Sequence, residues 1–164
     1  VYLEHNEAPV GRIRIFGSPY AHYGSHNNAF FHASPTYDVE PGVHIVATHM
    51  PAVLPSGKKN GELRYHEELT EPIFRSGALL HVSGHCHWAS GLYNAKPSNG
   101  PTVPCVVACV CSSHWQMSAT MQSASGIRGD PTDRRYGGYN LVQPGIVCDI
   151  FVPEARPPSV LCHV

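Results

Sequence analysis

Apolar residues along this chain fall into short runs broken by glycine, proline and polar clusters, and most of the runs have the period or length of strands. Gly11 to Phe16 sets Arg12 and Arg14 against Ile13 and Ile15, the two-residue alternation of a strand with one wet face, and Gly17-Ser18-Pro19 stops it. Val43 to Ala47, Leu79 to Ser83, Gly91 to Asn94, Val103 to Val110 and Gly145 to Val152 read as further strands. The period changes once. From Glu62 to Arg75, the residues Leu63, His66, Leu69 or Thr70, Ile73 and Phe74 recur at helical spacing, with Glu67, Glu68 and Glu71 outward. Pro72 should kink that helix or open a second short one, and Gly77 closes it. Between the elements lie a polar, aromatic and histidine-rich loop (Tyr20 to Pro35), a Pro/Gly/Lys loop (Pro51 to Gly61), and a turn cluster (Lys96 to Pro101). A Ser/Gly/Arg-rich excursion over 112–138 and a tail over 153–164 complete the chain. No internal repeat is evident. Many strands and one main helix predict a sheet-dominated α/β arrangement.

Composition narrows the classes. A chain of 164 residues with 42% hydrophobic and 14% charged residues suits one globular domain or part of one, burying roughly two-thirds of its unfolded surface. A formal net charge of −1 argues against binding a nucleic-acid duplex through broad positive potential. No apolar run approaches the ~20 residues of a membrane span. The start at Val1, with no visible signal peptide, reads as a processed or partial chain. The six cysteines (86, 105, 109, 111, 148 and 162) lack disulfide-scaffold spacing and mostly sit in apolar runs, which points to free thiols in a reducing, intracellular setting. A zinc site from Cys109 and Cys111 with Cys105 or His114 is the sharper alternative, against which stands the missing Cys-x-x-Cys pairing.

Histidine is where candidate chemistry concentrates: there are 12. Gly84-His85-Cys86-His87 follows an apolar strand at once, and two imidazoles at i and i+2 can face one point. Gly42 to Pro51 repeats the plan, an apolar strand and then a polar turn carrying His49. If the two strands are parallel neighbours, His49, His85 and His87 converge at their carboxyl ends, where α/β sheets place their sites. His44 and His81, inside the apolar runs, read instead as hydrogen-bonded core residues. His22, His26, His32 and His114 read as solvated loop residues, and Arg128, Arg134 and Arg135 as a wet loop.

With Gly-His-Cys-His and Thr48-His49-Met50-Pro51 in view, the chain resembles the C-terminal half of a calcineurin-like metallophosphoesterase domain, and within that superfamily the MPPED-type proteins. Tyr2-Leu3-Glu4, Ile13 to Pro19, Asn27-Asn28-Ala29-Phe30 and Gly145 to Ile150 carry the likeness, which runs in order from about Val1 to Val152. The resemblance implies half of an αββα sandwich spanning 1–164. It implies two divalent ions (Mn, Fe or Zn), His49 and His85 on one and His87 on the other, and hydrolysis of a phosphodiester. Asn27, Asn28 and Tyr20 would line the substrate mouth, and Lys58 and Lys59 would touch a phosphate.

The family's Asp-x-His, Gly-Asp and Gly-Asn-His motifs do not occur here in a matching context. Gly129-Asp130 runs into Pro131, and His26-Asn27 has the wrong order. Neutral imidazoles alone cannot offset two dications ~3.5–4 Å apart, so this half is expected to hold at most one ion. Three explanations stay open: a separate complementary N-terminal half, a longer parent enzyme, or a catalytically inactive remnant serving as a structural subunit. In each, another chain or segment is expected to cover the exposed sheet edge.

Overall fold

The computed structural model describes residues 1–21, 30–32, 35–56, 62–86, 89–108, 111–113, 139–141, 147–151 and 159–163. Its centre is a six-stranded sheet. The strands β1 (Asn6–Val10), β2 (Ile13–Ser18), β3 (Ile45–Thr48), β6 (Leu80–Ser83), β7 (Gly91–Ala95) and β8 (Val103–Val107) lie in the order β1-β2-β3-β6-β8-β7. The four inner strands run parallel, and β1 and β7 close the edges as antiparallel partners of β2 and β8. Three two-stranded pieces accompany it: β4 (Val53–Pro55) with β5 (Leu63–Tyr65), β9 (Cys111–Ser113) with β10 (Tyr139–Leu141), and β11 (Val147–Phe151) with β12 (Ser159–His163). One helix, α1 (Glu67–Ser76), is present among the described residues, so the chain is sheet-dominated α/β.

The two faces of the large sheet differ. One in-register row, Phe16, Val46, His81 and Cys105, is sealed at 3% exposure or less. Leu69 and Ile73 of α1 belong to the same core. Neighbouring positions point the other way. There Leu80 and Val106 are buried, while Ile13, Ile15, Ile45, Ala47, Val82 and Leu92 on the same apolar face are half-buried. Leu3 covers part of it, close enough to Gly17 that a Cβ added there would lie 2.5 Å from the Leu3 Cβ.

The helix begins five residues later than its period suggests. Leu63 to Tyr65 is strand because Leu54 and its neighbours, in the stretch read as a loop, pair with it antiparallel. The carbonyl of His66 accepts from the N–H groups of Leu69 and Thr70 to start the first turn. Glu67 and Glu68 sit at the positive end of the helix dipole and Arg75 at the negative end. The helix continues through Pro72 as a single element and ends on Gly77 at φ 73°, the left-handed position that glycine takes without strain.

Other differences have equally local causes. Strand β1 lacks the alternation that marks its partner, and Pro9 is tolerated there because the strand is an edge. The strand from Val103 ends at Val107, where Ala108 turns its N–H to the Ser83 carbonyl. The excursion and the tail each contribute to a strand, β9 pairing with β10 and β12 folding back on β11.

Candidate functional site

Strands β3 and β6 are parallel neighbours, with Thr48 opposite Ser83 at their carboxyl ends. Each then turns into a loop that opens with a histidine-bearing turn. The amide of His49 donates to the Ser18 carbonyl at 2.9 Å, and the amide of Gly84 donates to the His49 carbonyl at 3.2 Å. The two turns are thereby tied to each other and to β2. Their imidazoles meet: His85 Nδ1 lies 2.9 Å from His49 Nε2, with the rings edge to face at 74°. That separation suits a hydrogen bond between the rings. It is a few tenths of an ångström shorter than the roughly 3.3 Å between two nitrogens on one tetrahedral ion with bonds of about 2.0–2.1 Å, so the rings would part slightly to share an ion.

Backbone and packing hold this pair. His85 has φ 62°, a left-handed conformation that non-glycine residues seldom adopt and that clusters at functional turns. The next residue, Cys86, is buried with Leu54 and Ala89 in a small cluster of its own, and its amide donates to the Gly84 carbonyl at 2.7 Å. Burial raises the Cys86 thiol above its ordinary range, so it acts as an anchor rather than a nucleophile. Under His49, the Thr48 hydroxyl donates to the Met50 carbonyl and accepts from His81 Nε2 at 2.8 Å. His81 is fully enclosed, and burial lowers its pKa to about 3, so it is neutral.

Of the residues singled out from sequence, His49 and His85 are brought together. His81 is the hydrogen-bonded core residue expected, and His44 is half-buried, its Nδ1 accepting from the Arg14 amide at 3.0 Å. His87, Asn27, Asn28, Lys58 and Lys59 lie outside the described residues, as do Cys109, His114 and the three loop arginines. Among the described residues there is no group of three or more His, Cys, Asp or Glu side chains placed to hold a metal ion. The described pair therefore fits one ion as a partial ligand set, with neutral nitrogen donors and no carboxylate. Cys105, part of the alternative zinc reading, is buried, and desolvation pushes its thiol up to about 12.

Two features had no sequence signal. His5, before β1, bonds Ser18 Oγ (3.0 Å) and the Thr36 carbonyl (2.8 Å) and stacks on Tyr20 at 4.9 Å. His32 also packs on the Tyr20 ring, at 5.2 Å, while remaining exposed, as its reading as a solvated loop residue expects. This ring stack sits one strand over from His49, at the end of β2. A cavity of about 430 Å³ also opens between α1 and residues 35–37, with Tyr37, Met50, Glu68 and Arg75 in its lining and neither His49 nor His85. Among the described residues, no helix is long and apolar enough to cross a membrane.

No protein-family model matches the chain, and no curated protein and no solved structure matches it.

Proposed function

We propose that the chain is the C-terminal half of a metal-dependent phosphodiester hydrolase, of the calcineurin-like metallophosphoesterase type that its motifs resemble. The 2.9 Å meeting of His49 Nε2 and His85 Nδ1 at the ends of adjacent parallel strands carries the reading. His49 and His85 would hold a divalent ion there, which would supply Lewis acidity toward a phosphoryl oxygen and a bound water. The chain's own part is to present neutral imidazole nitrogens at fixed spacing. The Thr48–His81 contact orients the His49 turn, and Cys86 anchors the His85 turn. His87 would ligate a second ion, Lys58 and Lys59 would bind phosphate, and Asn27 and Asn28 would line the mouth.

A complementary half must bring the carboxylates. Two dications held by imidazole alone are left uncompensated in charge. The half-buried face of Ile13, Ile15, Ile45, Ala47, Val82 and Leu92 is the surface on which such a half would pack, completing an αββα sandwich. The same face supports a second reading, an inactive remnant that serves as a structural subunit.

Hydrolysis of bis-p-nitrophenyl phosphate with added manganese separates the two. Turnover by the intact assembly that is lost in His49→Ala and in His85→Ala supports the hydrolase. An assembly that forms normally, carries no metal and gives no turnover leaves the structural role.

A further inference from the structure

Cys148 and Cys162 stand directly opposite each other on the antiparallel strands β11 and β12. Opposed residues in such a pair have Cα atoms about 4.5 or 5.5 Å apart, both inside the span a disulfide bridges. Their sulfurs are 2.8 Å apart, with the Cys148 S–H donating to Cys162 Sγ. Both are thiols and both are half-buried, unlike the enclosed Cys105. The strand alternation puts Cys148, Ile150, Val160 and Cys162 on one side of the hairpin, all half-buried, and Asp149, Phe151, Ser159 and Leu161 on the exposed other side. We propose that Cys148 and Cys162 are a redox-active pair, converted by a small disulfide oxidant into an internal cross-strand disulfide that fixes the register of this hairpin.

The two thiols have different parts. Burial, with Cys162 and Asp149 beside it, pushes the Cys148 thiol up to about 12, so it keeps its proton and directs it at Cys162. With its proton held in that hydrogen bond, Cys148 is not the first sulfur to react, and Cys162 attacks first. With glutathione disulfide, the Cys162 thiolate attacks one sulfur, the glutathione S–S bond breaks, and one glutathione leaves as thiolate. Cys148 then gives up its proton, attacks the Cys162 sulfur, and displaces the second glutathione. Two protein thiols are oxidised, one glutathione disulfide is reduced to two glutathiones, and the two thiol protons end on them. Neither step uses His49 or His85.

Peptide mapping of the whole chain tests this. Arg156 precedes Pro157, which blocks tryptic cleavage, so the tryptic peptide 136–164 contains Cys148 and Cys162 and no other cysteine. The folded chain is equilibrated with glutathione disulfide, trapped with iodoacetamide and digested. The expected product is peptide 136–164 lighter by two hydrogens and unalkylated, at a yield at least about tenfold above that of the urea-unfolded chain. Cleavage after Glu154 then gives two fragments that separate only on reduction. Cys148→Ser should instead leave glutathione attached at Cys162. Separate glutathione adducts on both cysteines of the folded wild-type chain, or full alkylation of both, would overturn the assignment.

Discussion

The imidazole of His81 donates from Nε2 to the hydroxyl of Thr48 across 2.8 Å, beneath the turn that carries His49. The hydroxyl has one proton, and it goes to the Met50 carbonyl, so the ring must be the donor and His81 the Nε2–H tautomer. Its Nδ1 is left buried with no hydrogen-bond partner.

Thr48→Val keeps the shape and removes the hydroxyl, leaving the His81 N–H and the Met50 carbonyl unpaired. The expected loss is about 2 kcal/mol of stability. Thr48→Ser, which keeps the hydroxyl and lacks one methyl, should cost no more than about 1 kcal/mol. Urea denaturation checks both, with a lower midpoint and an unchanged slope for the valine variant.

His81 also sets a pH dependence. Burial holds its folded pKa at about 3, below the ordinary 6.5 it regains on unfolding. Between those values the unfolded chain binds more protons, so stability rises with pH across that window. The contribution is complete above pH 6.5 and is lost progressively as pH falls toward 3, by up to about 1.4 kcal/mol per pH unit for one proton. The difference in unfolding free energy between wild type and His81→Gln, measured from pH 7 down to pH 4, should shrink by that slope. A difference that stays constant across the range would mean that His81 does not titrate as its burial requires.

The left-handed backbone at His85 separates stability from function. His85→Gly relieves the φ 62° conformation and is expected to leave the metal-free chain equally stable or more stable by up to about 1 kcal/mol. It also removes the Nδ1 that faces His49. His49→Gly has no such backbone relief to offer. Thermal melts of the two variants side by side check the contrast.

Two glycines fail on alanine for different reasons. At Gly77 there is open space around an added Cβ, so Gly77→Ala costs about 1 kcal/mol through its φ of 73° alone. At Gly17 the obstacle is Leu3, 2.5 Å from the added atom. Gly17→Ala should displace residues 1–5, cost about 1–3 kcal/mol, and raise amide exchange there. Leu3→Gly should suppress most of that cost while doing nothing for Gly77→Ala.

Much of the parallel core was legible because its strands are short apolar runs ended by glycine or a polar turn. Val43 to Ala47 and Leu79 to Ser83 marked β3 and β6 to within two residues. The helix was legible from Leu69 onward, where Leu69 and Ile73 meet the core. Its first turn was not, because Leu63 and Tyr65 fit a strand alternation as well as a helical one, and only the distant pairing with Val53 to Pro55 decides. The strand β11 was legible, but its partner β12 lay in the stretch read as a tail, and with it the contact between Cys148 and Cys162 was missed. His49 and His85 could be placed at one point because each follows a strand directly, so parallel pairing alone brings them together. The Thr48 hydroxyl link to His81 needs the register of two strands and has no mark in one sequence.

The most direct test is manganese binding to the chain, read by titration calorimetry or by loss of the free-ion electron paramagnetic resonance signal. The expected result is one bound ion per chain, abolished in His49→Ala and in His85→Ala while the far-ultraviolet circular dichroism is unchanged. Binding that survives both substitutions, or no binding by the wild-type chain under any divalent ion of the Mn, Fe or Zn group, would contradict a metal centre built on these two imidazoles.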